Sequence, residues 1–116
     1  MKTRLAALAA LAATVALPVF AHHGWSEYDS TKPLTFTGKI LESGYEHPHG
    51  HIRLEAPGKT WHVVLAPPSR MENRGLAKDA LNKGNTVTVV GYANREKPAE
   101  MRAERITAGG KTVELR

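Results

Sequence analysis

Residues 51–82 read HIRLEAPGKTWHVVLAPPSRMENRGLAKDALN, and this stretch decides the fold. Ile52 and Leu54 alternate with His51, Arg53 and Glu55; Trp61, Val63 and Leu65 alternate with His62 and Val64. Period-two alternation marks half-buried strands. Between them Ala56-Pro57-Gly58-Lys59 has Pro and Gly where a type II turn prefers them. Pairing Ala56 with Lys59 puts Leu54 opposite Trp61 and Ile52 opposite Val63. Both apolar sets then share one face, as a correct hairpin register requires. Ala66-Pro67-Pro68 stops the second strand. Ser69 and Glu72 have capping-box spacing, so a short helix is expected over 69–82, interrupted near Gly75, with Leu76, Ala80 and Leu81 inward.

Outward from this core, Leu34–Ser43 precedes the hairpin as a strand bent or bulged at Gly38. Residues 43–50 (SGYEHPHG) form a loop. Strands are expected again over Asn85–Tyr92, Met101–Ala108 and Lys111–Arg116, with a Gly109-Gly110 turn before the last. The fold is then mainly β: a small barrel of five to six strands with one short helix between strands three and four. That order is the oligonucleotide/oligosaccharide-binding arrangement, the OB-fold. A β-sandwich is the alternative, but it does not require the helix.

The 116 residues suit one domain. Lys2 and Arg4, an uncharged run over Leu5–Leu17, Pro18, and Val19-Phe20-Ala21 compose a Sec-type signal peptide, cleaved after Ala21. A membrane span needs about 20 apolar residues, more than this run provides. The expected organisation is a cleaved signal helix over 1–21, an irregular arm over 22–33 and the barrel over 34–116, in the periplasm with no stable membrane anchor. Without Lys2 and Arg4 the balance is 14 basic to 11 acidic residues, too weakly positive to argue for nucleic acid. Cysteine is absent, which excludes disulfides, thiolate catalysis and Cys-type zinc sites.

Six histidines remain: His22, His23, His47, His49, His51 and His62. Cleavage after Ala21 makes His22 the N-terminus, so its amine and imidazole can chelate one ion. His47, His49 and His51 are spaced by two and point to one side if extended. The hairpin register makes His51 and His62 diagonal neighbours on the outer face, within reach of each other. Imidazole donors without thiolate favour Cu(II), with zinc or nickel as alternatives. Each cluster also has a plainer role, as a solvated arm and a polar loop. The expected function is a metal-binding protein for Cu(II) storage, delivery or protection. Its rival is a metal-independent OB-type module binding a periplasmic protein partner or a small ligand. A copper oxidoreductase ranks last, since no substrate cleft or supporting carboxylate is identifiable, and enzymatic activity is not the expectation. Trp25 and Tyr28 are expected to pack on the barrel. Glu42 and Glu46, and the basic edge of Arg95, Lys97, Arg102 and Arg105, are expected to be solvated.

His22-His23-Gly24-Trp25, Tyr28-Asp29, His47-Pro48-His49, Trp61-His62-Val63, Leu65 to Arg70, Gly75-Leu76 and Gly84 to Val89 together resemble a bacterial exported family of unknown function, number six-one-five-two. There the loop is more often Asn-Pro-His and the paired His is followed by Ser-Phe, so the resemblance does not extend to His47 as a shared ligand. It implies export and this overall organisation, and no activity. A looser likeness to periplasmic OB-fold proteins fits the same strand order.

Overall fold

Strand β1 (Leu34–Gly44) is long enough to serve two partners. Its first half, Leu34 to Lys39, pairs antiparallel with β4 (Thr86–Ala93). Its second half, Lys39 to Gly44, pairs antiparallel with β2 (His51–Ala56). At the hand-over sits Gly38, where an added Cβ would come within 1.7 Å of the Glu55 carbonyl oxygen. Only glycine allows that approach. The bulge expected at Gly38 lies instead at Leu41, the extra residue between the Ile40–Leu54 and Glu42–Arg53 pairs. Gly38 itself pairs regularly with Val87.

This computed structural model describes residues 24–116. The signal-peptide assignment and His22-His23 lie outside them. β2 and β3 (Lys59–Val64) form the hairpin, with Ala56 paired to Lys59, Leu54 to Trp61 and Ile52 to Val63, the register that the turn dictates. β5 (Glu100–Ala108) pairs antiparallel with β4 and with β6 (Lys111–Glu114). Parallel pairing of β3 with β5 closes the barrel: His62 with Glu100, Val63 with Met101, Val64 with Arg102. Five strands close on themselves and the sixth lies outside, which is the OB arrangement.

The connection from β3 to β4 carries helix α1 (Pro68–Asn73) and a 3-10 turn over Lys78–Leu81. The break falls at Gly75, whose φ of +88° is costly for any residue with a Cβ. The expected capping box does not form. Pro67 holds the N-cap position without a side-chain cap bond, and Ser69 is already inside the helix. Proline at the first helical position removes an N–H that would otherwise need a partner. Met71, Leu76 and Leu81 are buried and join the barrel core of Ile40, Ile52, Leu54, Trp61, Val63, Val87, Val89, Met101 and Ile106.

Candidate functional site

The outer face of β2 and β3 presents His51, His62 and Val64, alternating with the inward Ile52, Trp61 and Val63. Because the strands are adjacent, the rings of His51 and His62 stack, with centroids 5.4 Å apart and planes inclined by 29°. Together with Pro48, His49, Gly50 and Val64 they line a small cavity of about 130 Å³. His49 is half-buried there because its loop is pinned: Gly50 N–H donates to the Ala66 carbonyl, and Leu65 N–H to the Gly50 carbonyl. His47 is exposed and does not line the cavity. Of the expected ligands, the structure therefore brings together His49, His51 and His62, and leaves His47 apart. Among the described residues no group of three or more His, Asp or Glu side chains is disposed to hold a metal ion by itself.

Val64 points outward yet is 3% exposed. The His49 loop walls it on one side, and the arm fastens one strand further on, along β5 and the end of β4. A 3-10 turn over Trp25–Glu27 leads to Tyr28, which bridges to Asn94 at the end of β4. Asp29 N–H donates to the Ala93 carbonyl and Arg95 N–H to the Glu27 carbonyl, so the arm is fixed at both flanks of Tyr28. Tyr28 is buried and its hydroxyl donates to Glu100 Oε2 at 2.8 Å; Asn94 Nδ2 donates to the same oxygen at 3.0 Å. Burial, reinforced by the Glu100 carboxylate, pushes the Tyr28 phenol well above the usual tyrosine range. Glu100 is the lateral neighbour of His62 across the β3–β5 pairing. A carboxylate thus stands beside the histidine pair.

Trp25 packs edge-on against Tyr92, with the guanidiniums of Arg102 and Arg116 at 4.3 and 4.6 Å from its ring. Arg102, expected on a solvated edge, is buried instead, because Trp25 lies over it. Burial lowers the Arg102 pKa. Arg95 turns back to the arm, donating from Nε to the Ser26 carbonyl, and Arg105 pairs with Glu114 at 2.9 Å. Glu42 pairs with Arg53 on the exposed surface. The sequence does hint at the covered face, since Glu100 and Arg102 alternate with the apolar Met101 and Ala103. Nothing in that alternation tells water from an arm.

A family described as a family of unknown function (DUF6152) matches residues 9–102, and the chain belongs to it. No curated protein matches. Among solved structures, a chain from the S. pombe Stn1–Ten1 complex is similar with a TM-score of 0.53 and 17% identity, over 66% of this chain and 57% of that one. A chain from a complex of TiaS with an isoleucine tRNA and ATP is similar with a TM-score of 0.51 and 20% identity, over 77% of this chain and 20% of that one. This chain therefore spans only part of the length of each. At these identities the likeness is one of fold.

Proposed function

We propose that this protein, exported and cleaved after Ala21, binds Cu(II) in the periplasm, for storage, delivery or protection. His51 and His62 supply two imidazoles from the barrel, and His22 supplies its amine and imidazole from the arm. His23 and His49 are further donors within the same region. The observation that carries this reading is the stacked His51–His62 pair, with His62 one strand away from Glu100, to which the arm is fastened through Tyr28.

Chain geometry supports it. Trp25 sits over Arg102. Across the barrel wall Arg102 neighbours Val64, and Val64 neighbours His51. Two strand spacings amount to about 10 Å, and the three residues from Trp25 back to His22 can span about 11 Å. A segment of that length is long enough for the N-terminal donors to meet the histidine pair. Metal–nitrogen bonds of about 2 Å put two imidazole centroids on one ion roughly 4.5–6 Å apart; the observed 5.4 Å meets that spacing, and the stacked rings would turn about their side-chain torsions to bring both planes onto the ion. Two barrel donors alone make a weak site. An amine–imidazole chelate completes a nitrogen set of the kind for which Cu(II) leads the divalent ions. Glu100 beside His62 can accept from the ring nitrogen that does not ligate, a common arrangement around metal-bound histidine.

The test is a Cu(II) titration of the chain beginning at His22 against one with an additional residue before it. The extension turns the amine into an amide and should weaken binding. Equal affinity removes the His22 amine from the site. If Cu(II), Ni(II) and Zn(II) all fail to bind at micromolar concentration, the metal-independent OB-type module becomes the better account.

A further inference from the structure

Arg102 is 7% exposed, and its Nε has no hydrogen-bond partner. Among the described residues no carboxylate pairs with it. A buried guanidinium in that state is uncommon, because a desolvated cation ordinarily carries a counter-charge. The face of Trp25 offsets part of the cost, but it offers no acceptor for the N–H fork.

The surroundings add positive charge. Arg116 shares Trp25 with Arg102. Arg70, half-buried on α1, donates to the Leu115 carbonyl at 3.1 Å, which brings it beside Arg116. Arg70 and Arg116 both disfavour the charged form of Arg102, so the three guanidiniums feel one another. The carboxylates nearby neutralise them only in part: Glu27 favours the charged Arg102 through space, and Glu104 pairs with Arg116. Glu104 is shared between the Tyr92 hydroxyl and Arg116, and Glu27 is exposed on the arm.

We infer that the Arg70–Arg102–Arg116 cluster beside Trp25 is a binding site for a small oxyanion, a phosphate or a carboxylate. Guanidinium forks match the paired oxygens of either group, and such charge-assisted bonds are the strong ones. A bound oxyanion supplies the counter-charge that Arg102 lacks and relieves the repulsion among the three cations. Trp25, which reports on the same cations, links occupancy of this site to the seating of the arm. The site uses none of the histidines and stands whether or not copper binds.

The experiment is calorimetric titration of the purified protein with inorganic phosphate and, separately, with acetate. A metal chelator is present and ionic strength is held constant with chloride, while Trp fluorescence is followed in parallel. Saturable binding of either anion supports the site, and the anion that binds identifies the source chemistry. Arg102→Lys keeps the charge but loses the fork, and should weaken binding by about tenfold or more. Arg116→Gln should weaken it less, while Arg53→Gln, on the surface and paired with Glu42, should leave it unchanged. His51→Ala should also leave it unchanged, which separates this site from the copper reading. If Arg102→Lys does not fold, Arg116→Gln decides: wild-type affinity there overturns the proposal. So does the absence of saturable binding by both anions, or a loss as large in Arg53→Gln as in the cluster variants.

Discussion

Trp61 fixes the phase of the barrel with one side chain. It lies inward opposite Leu54, stacks on Phe36 at 5.0 Å between centroids, and is capped by the Lys59 ammonium 4.1 Å from its ring. Trp61→Ala should destabilise the protein by about 3–5 kcal/mol, as large aromatic truncations in cores do; chemical denaturation measures it, and a loss below about 1 kcal/mol would place the ring outside the core. This residue was legible in the sequence because the Pro57-Gly58 turn fixes the pairing and the pairing fixes the face. Tyr28 was less so. Its folded pKa is raised, so its stabilising contribution is complete below the ordinary phenol range, near 10. It is lost as the pH rises through the higher folded value. Tyr28→Phe should cost stability at neutral pH, by leaving Glu100 one donor short, yet show a shallower fall in stability at alkaline pH than the native chain. Parallel slopes in denaturation midpoint against pH would contradict the buried Tyr28–Glu100 bond.

At the scale of elements, α1 and the arm differ in how they are held. The Ser69–Glu72 spacing resembles a capping box, but Pro67-Pro68 sets the cap and the helix start two residues earlier and leaves Ser69 without a capping role. Ser69→Ala should therefore change stability by less than about 0.5 kcal/mol, rather than the ~1 kcal/mol typical of a lost N-cap. A loss near the larger figure would restore Ser69 as the cap. In β1, Gly38→Val should be severe, since its Cβ would meet the Glu55 backbone rather than a movable side chain. A folded Gly38→Val variant of native stability would contradict the close crossing of β1 and β2. The arm is visible in sequence as an irregular segment with two aromatic residues, and so is their packing on the barrel. What the arm covers is not. Glu100 and Arg102 look like solvated charges until long-range contacts over some seventy residues place Tyr28 and Trp25 on them. Local alternation reports which face of a strand is outward, and is blind to what later lies on that face.

For the whole molecule, barrel closure is what makes a site conceivable. Pairing of β3 with β5 sets Glu100 beside His62 and Arg102 beside Val64, so the arm docks on the strand next to the one that carries His62. The strand order and the helix between β3 and β4 were readable from alternation, turns and length. The His51–His62 contact followed from register. The separation of His47 did not, because spacing by two implies a shared face only in an extended chain, and residues 45–50 form an irregular loop. The central claim is that arm and barrel donate to one copper ion. A double-mutant cycle of His22→Ala and His62→Ala on Cu(II) affinity, measured with the chain beginning at His22, tests it most directly. Donors to one ion couple, so each substitution should cost markedly less once the other is in place. Strict additivity, or affinity indifferent to His62, would show that the N-terminal histidine and the barrel pair do not share a metal.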